Sequence, residues 1–237
     1  MTDSNSSTAS VLVKFCGMTR REDAVAAADL GAAAVGFVLW PRSKRAVTPE
    51  QVRDIVRALP PFIATVGVFV DESIERVKEI VAFAGLTAAQ LHGRETAAIA
   101  TAAAAAGVRV IKALGEPGVD LVDEASRWPS EVTLLIDAVD PRERGGTGHV
   151  ADWDGAAAVA RTRRIILAGG LNPDNVADAI ARVRPYAVDV VSGVEARPGV
   201  KDHARMAAFF DAVRDASHRN RIHQNQDDRH GNNALTH

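Results

Sequence analysis

Between residues 11 and 216, short apolar runs alternate with longer segments that carry a single apolar face. The runs lie at 11–15, 34–39, 63–70, 88–91, 108–113, 133–136, 165–167 and 187–191. Each is strand-length and nearly continuous in apolar residues, as expected of parallel strands buried on both faces. The segments between them read as helices with recognisable ends. Thr19 stands three residues before Glu22, a capping-box spacing, and Gly31 follows the alanine-rich run 22–30. Thr48 and Pro49 fit an N-cap and first helical residue, and Pro60-Pro61 marks the stop. Ser73 caps a helix to about Ala84, and Gly107 follows the helical run 95–106. Further helices are predicted over 119–128, with Leu121, Val122 and Ala125 on one face, from Trp153, from Asn172-Pro173, and over 201–216. Eight βα units with no remainder predict one domain, 11–216, closed into a (β/α)8 TIM barrel. The polar stretches 1–10 and 217–237 are expected to be a disordered lead-in and a disordered tail.

Composition narrows the function. Hydrophobic residues make up 47% of the 237, enough for a large core, and a formal net charge of −2 gives no reason to expect nucleic acid as a partner. No apolar run reaches membrane-spanning length, so no membrane partner is expected either. The single cysteine excludes an intrachain disulfide and fits a reducing compartment. The first ten residues have neither a basic n-region nor an apolar h-region, so a cytoplasmic location is the expectation. Nothing in the sequence sets the oligomeric state.

In a barrel of this kind every strand end points to one rim, where ligands bind. The groups brought there are Cys16, Arg45, Asp71, His92, Lys112, Asp137, Gly169-Gly170 and Ser192-Gly193. The glycine turns follow strands seven and eight, where backbone N–H groups approach a phosphate closely. The segment 193–197 is the candidate for the short extra helix that completes such a site. A further glycine-rich loop runs over 139–150. No Walker loop is present, and no G-x-G-x-x-G follows an early strand, so nucleotide cofactors are not expected. Cys16 and Asp137 form a candidate acid–base pair. Two such groups across a small site can share a proton, each negative charge raising the other's pKa.

The motifs KFCGMTRREDA (14–24), GFVLWPRSKRAV (36–47), GVFVDE (67–72) and QLHG (90–93) resemble the phosphoribosylanthranilate isomerase family of tryptophan biosynthesis. So do LLIDA followed by GGTG, then AGGLNPDNV (168–176) and VDVVSGVEARPGVKD (188–202). They run in family order through the barrel and leave only the two tails outside. The resemblance implies a (β/α)8 fold and an Amadori rearrangement of a small phosphorylated substrate, with no metal and no organic cofactor. Cys16 matches the family's general base and Asp137 its general acid. Arg45 matches the arginine that pairs with the anthranilate carboxylate, and His92 the histidine near the anthranilate ring. Gly169, Gly170, Ser192 and Gly193 match the phosphate site. Ala168 stands where a serine is expected, and the loop 139–149 carries more charge than expected.

Three other readings compete with this one. The histidine-pathway sugar isomerase performs the same rearrangement on a similar barrel, but with an aspartate at the end of strand one where this chain has Cys16. Indole-glycerol-phosphate synthase shares the phosphate site and relies on lysines that these motifs do not match. A barrel that binds a phosphorylated ligand without turnover would have no use for both a base and an acid.

Overall fold

A computed structural model describes residues 10–116, 118–137 and 153–233, the last of these in side-chain detail as far as 219. The strands β1 (Leu12–Phe15), β2 (Ala34–Val38), β3 (Ala64–Phe69), β4 (Ala88–Leu91), β5 (Arg109–Leu114), β6 (Thr133–Asp137), β7 (Ile165–Ala168) and β8 (Ala187–Val190) form a closed parallel barrel in sequence order. Closure is direct: Leu12, Val13, Lys14 and Phe15 of β1 stand in register with Ala187, Val188, Asp189 and Val190 of β8. The helices α1 (Arg21–Asp29), α2 (Pro49–Val56), α3 (Ile74–Ala84), α4 (Ala97–Ala105), α5 (Leu121–Ser126), α6 (Trp153–Ala160), α7 (Val176–Val183) and α8 (His203–Asn233) follow their strands.

The continuous apolar runs reflect two cores divided by the sheet. Val13, Phe15, Val35, Phe37, Leu91, Leu134, Ile136, Leu167 and Val190 face the helices in the larger core. Their neighbours Ala113, Leu135, Ile166, Ala168 and Ala187 fill the barrel interior. Alternate residues thus serve opposite faces, as the strand period of two requires.

Helix starts follow sequence chemistry in several places. Thr48 and Gln51 form a reciprocal capping box with Pro49 in the first turn, Ser73 accepts from Arg76 N, and Gly85 ends α3 in the left-handed region. Others differ. Arg20, not Thr19, occupies the N-cap of α1, because the Thr19 hydroxyl donates to the Gly199 carbonyl instead. Val122 is exposed while Leu121 and Ala125 are buried, so α5 packs a narrower face than the sequence suggests. The segment 193–197 is not a helix. A 3-10 turn at Ser192–Val194 leads into a hairpin of β9 (Glu195–Arg197) and β10 (Val200–Lys201), and α8 begins only at His203. The expected limit at 216 falls inside α8. Residues 1–9 of the expected lead-in, and the expected glycine-rich loop 139–150, lie outside the described residues.

Candidate active site

β1 ends at Phe15, so Cys16 is the first residue of the following loop, its side chain turned into the barrel with that of Lys14. The thiol is buried. It lines a cavity of about 240 Å³ with Gln90, His92, Asp137, Ala168, Gly169, Gly170, Asp189 and Ser192. A wider cleft of about 630 Å³ shares His92 and Asp137 and opens between β4, β5 and β6. Of the residues expected at the site, the small cavity therefore gathers Cys16, His92, Asp137, Gly169, Gly170 and Ser192. His92 Nε2 stands 3.5 Å from Asp137 Oδ2 at the cavity mouth, both side chains well exposed.

The phosphate-type turns are built tightly. Gly169 and Gly170 have φ of 92° and 61°, the left-handed region where a side chain is strained. Asn175 Nδ2 donates to the Gly170 carbonyl at 2.9 Å and Asn175 Oδ1 accepts from Asn172 N at 2.9 Å, which fixes the turn from below. Gly193 lies where a Cβ would stand 2.0 Å from the Leu171 carbonyl oxygen, so the turns after β7 and β8 touch backbone to backbone. Ser192 lines the cavity, while Gly193 faces a neighbouring cleft with Asn172 and Arg205.

Two expected rim residues serve other partners. Lys112 is buried against the helix layer, held 2.9 Å from Glu95 and beside the Trp128 ring. Arg45 does not present an open fork. Its Nε and Nη2 donate to Glu195 Oε1 and Oε2 at 2.8 and 2.7 Å.

Around the thiol lie charged residues that the sequence reading did not single out. Lys14 Nζ donates to Asp189 Oδ1 at 2.9 Å and Gln90 Oε1 at 3.0 Å, and its charge acts on the Cys16 thiol. Lys201 Nζ donates to the Val191 carbonyl at 2.9 Å and lies 3.4 Å from Glu195 Oε1. The signal for the first pair was present. VLVKF and AVDVV each carry one charge amid apolar residues, and closure of the barrel sets Lys14 and Asp189 in register. Glu195 and Lys201 left no such signal, because the hairpin that pairs them has no apolar period.

Electrostatics follows from this packing. Burial pushes the Cys16 thiol up, further than the Lys14 and Lys201 cations pull it down, and Asp189 adds to the rise. Burial works to lower Lys14, but Asp189 and Cys16 outweigh it and hold the ammonium above its ordinary value. For Lys201 burial wins and the value falls, despite Glu195 and Cys16. Glu195 is pushed up by burial but brought below the usual carboxylate range by the Arg45 hydrogen bond and by Lys201. Lys14, Lys201 and Arg45 are thus cations around the thiol, with Asp189 paired to Lys14 and Glu195 to Arg45 and Lys201.

A closed parallel barrel with a thiol, a carboxyl and glycine turns converging at the strand ends defines a (β/α)8-barrel enzyme with its site at the carboxyl rim. Residues 13–212 match the family model described as N-(5'phosphoribosyl)anthranilate (PRA) isomerase. The chain is 46% identical over 201 residues to the N-(5'-phosphoribosyl)anthranilate isomerase of Pseudomonas fluorescens, covering 85% of this chain and 97% of that one. It is 47% identical over 206 residues to the enzyme of Pelobacter propionicus, covering 84% and 94%. The crystal structure of phosphoribosyl anthranilate isomerase from Thermotoga maritima superposes with a TM-score of 0.76 at 42% identity, covering 86% and 98%. A second isomerase structure, in complex with reduced 1-(o-carboxyphenylamino)-1-deoxyribulose 5-phosphate, gives 0.74 at 40% identity with the same coverage. The chain belongs to the N-(5'-phosphoribosyl)anthranilate isomerase family, enzymes of tryptophan biosynthesis. Among the described residues, no helix is long and apolar enough to cross a membrane.

Proposed function

We propose that this chain catalyses the Amadori rearrangement of N-(5-phosphoribosyl)anthranilate to 1-(2-carboxyphenylamino)-1-deoxyribulose 5-phosphate, with Asp137 as general acid and Cys16 as general base. The observation that carries the reading is the single cavity lined by Cys16, His92, Asp137 and the Gly169-Gly170 and Ser192 turns. Asp137 donates its proton to the furanose ring oxygen as the C1–O bond breaks, and the nitrogen lone pair forms the iminium. The Cys16 thiolate then takes the proton from C2, made acidic by the adjacent iminium, and the C–H pair moves to give the enolamine. Tautomerisation yields the ketone. The glycine turns after β7 and β8 receive the phosphate through backbone N–H groups.

Arg45 takes the anthranilate carboxylate in a modified way. Glu195 already holds the Nε–Nη2 edge, so the Nη1 side of the guanidinium is the part offered to the substrate. The ion pair with Glu195 fixes the plane of the guanidinium before substrate arrives, which saves ordering entropy on binding. His92, at the cavity mouth beside Asp137, lies against the anthranilate ring.

A fluorescence assay that follows loss of the anthranilate-ribose substrate tests the proposal. Steady loss with formation of the deoxyribulose phosphate product is expected. Tight binding of a reduced product analogue without turnover would defeat it, and turnover of the histidine-pathway aminoaldose alone would move the activity to that reaction.

A further inference from the structure

Three side chains inside the barrel form a directed hydrogen-bond chain that the mechanism above does not use. Lys14 Nζ stands 3.0 Å from Gln90 Oε1, and Gln90 Nε2 stands 3.1 Å from His92 Nδ1. Gln90 is 2% exposed, so both ends of its amide must find partners within the protein. An ammonium has only hydrogens to offer, so the amide atom facing Lys14 is the oxygen. The NH2 therefore faces His92, and it can only donate. Nδ1 must accept, which leaves the ring proton of neutral His92 on Nε2, the atom 3.5 Å from Asp137 Oδ2. Lys14 is itself fixed, because Asp189 Oδ1 holds it at 2.9 Å. The direction of every bond in the chain is set by a group that cannot reverse.

We propose that Gln90 is a positioning residue that locks His92 as the Nε2–H tautomer, so that the imidazole donates toward Asp137 Oδ2 and the acid's proton is carried on Oδ1. The consequence for catalysis rests on the reading of Asp137 as general acid; the tautomer does not. With Oδ2 accepting from His92, a protonated carboxyl carries its hydrogen on the other oxygen, where the substrate ring oxygen can receive it. The opposite tautomer would place a lone pair against Oδ2 and draw that proton away from the substrate. At 3.5 Å the contact is long for a hydrogen bond, as catalytic hydrogen bonds often are before substrate binds.

The imidazole nitrogen signals of the full-length, 15N-labelled protein test this directly, with His92 assigned by its loss in His92→Asn. The wild type should show Nδ1 unprotonated and Nε2 protonated. Gln90→Glu replaces the donor with a carboxylate that accepts, so Nδ1 should become protonated. In the same variant kcat should fall about tenfold or more while KM moves less than about threefold, the pattern of a lost transition-state interaction. Gln90→Met, which neither donates nor accepts strongly, should show both tautomers and a smaller loss of kcat. A wild-type ring protonated on Nδ1 overturns the proposal, with no variant needed. Unchanged ring signals in Gln90→Glu, or an inverted ring with full kcat, overturn it as well. Absence of wild-type turnover would instead strike the activity proposed above, leaving the ring signals to decide the tautomer.

Discussion

Cys16 sits against backbone that leaves it no spare room: a Cβ at Gly36 would lie 2.5 Å from its sulfur. Such packing makes serine, a slightly smaller isostere, easy to accommodate. Cys16→Ser should therefore leave melting temperature and product-analogue affinity near the wild type. Its kcat should fall by about 10²- to 10⁴-fold, the usual worth of a positioned base, because a hydroxyl is scarcely ionised near neutral pH. Asp137→Asn should lose a comparable amount, since an amide N–H is far too weak an acid to protonate the ring oxygen. Retention of more than about a tenth of wild-type kcat by Cys16→Ser would assign the thiol to packing alone.

The charge around the thiol predicts an effect on activity at the same scale. Because the Cys16 value is raised, the thiolate is the minor form at neutral pH. Below the raised value its fraction falls about tenfold for each further unit of rise, so at pH 7 any change that raises the thiol further lowers kcat/KM in proportion. Lys201→Met removes a cation that pulls the thiol down, while Glu195 keeps Arg45 as its partner. The thiol then rises further, so kcat/KM at pH 7 should fall while the melting temperature stays near the wild type. Unchanged or higher kcat/KM at pH 7 would show that Lys201 does not act on Cys16.

At the scale of elements, strands and most helices were legible because apolar period and cap chemistry are local. Thr48-Pro49 and Ser73 announce their helices through side chains that reach only three residues onward. What stayed hidden depends on distant partners. The Thr19 hydroxyl answers a carbonyl at Gly199, and the buried Asp23 carboxylate accepts from Lys201 N at 3.0 Å and contacts His203 Nε2 at 2.9 Å. The β9–β10 hairpin, which carries Glu195 and Lys201 to the site, is short and polar and so has no periodic signature. Cys16, His92, Asp137 and the glycine turns were readable as strand ends; the ion pairs that tune them required knowing which strands meet. Gly193 shows the same dependence, since its smallness matters only because the turn after β7 touches it. Gly193→Ala should force the two turns apart and raise KM for the phosphorylated substrate about tenfold or more, roughly 1.4 kcal/mol of binding, with kcat less affected. An unchanged KM would place the phosphate away from these turns.

For the whole molecule the critical seam is the one that joins the last unit to the first. β1 and β8 pair along four residues, and α8 covers the seam with Phe209 packed edge-on to Phe15, ring centroids 6.1 Å apart. The seal extends past the limit that hydropathy suggested. Ser217 is buried, its hydroxyl donating to the Val213 carbonyl at 2.8 Å and accepting from Val11 N at 3.1 Å. A polar residue within a polar run looks like the start of a tail, yet here it anchors the backbone that enters β1. Two truncations separate these views. A chain ending after Arg219 keeps Ser217 and its helical context, and should match the full chain in activity. A chain ending after Ala216 loses the acceptor for Val11 N and the buried Ser217 side chain. Its stability should fall by about 1 kcal/mol, the net worth of one hydrogen bond whose donor is only part-buried. Ser217→Ala in the full chain should reproduce most of that loss, because it removes the hydroxyl and nothing else. Equal melting temperatures for the 216 and 219 chains would show that the barrel is sealed without Ser217, and that the boundary read from hydropathy is the functional one.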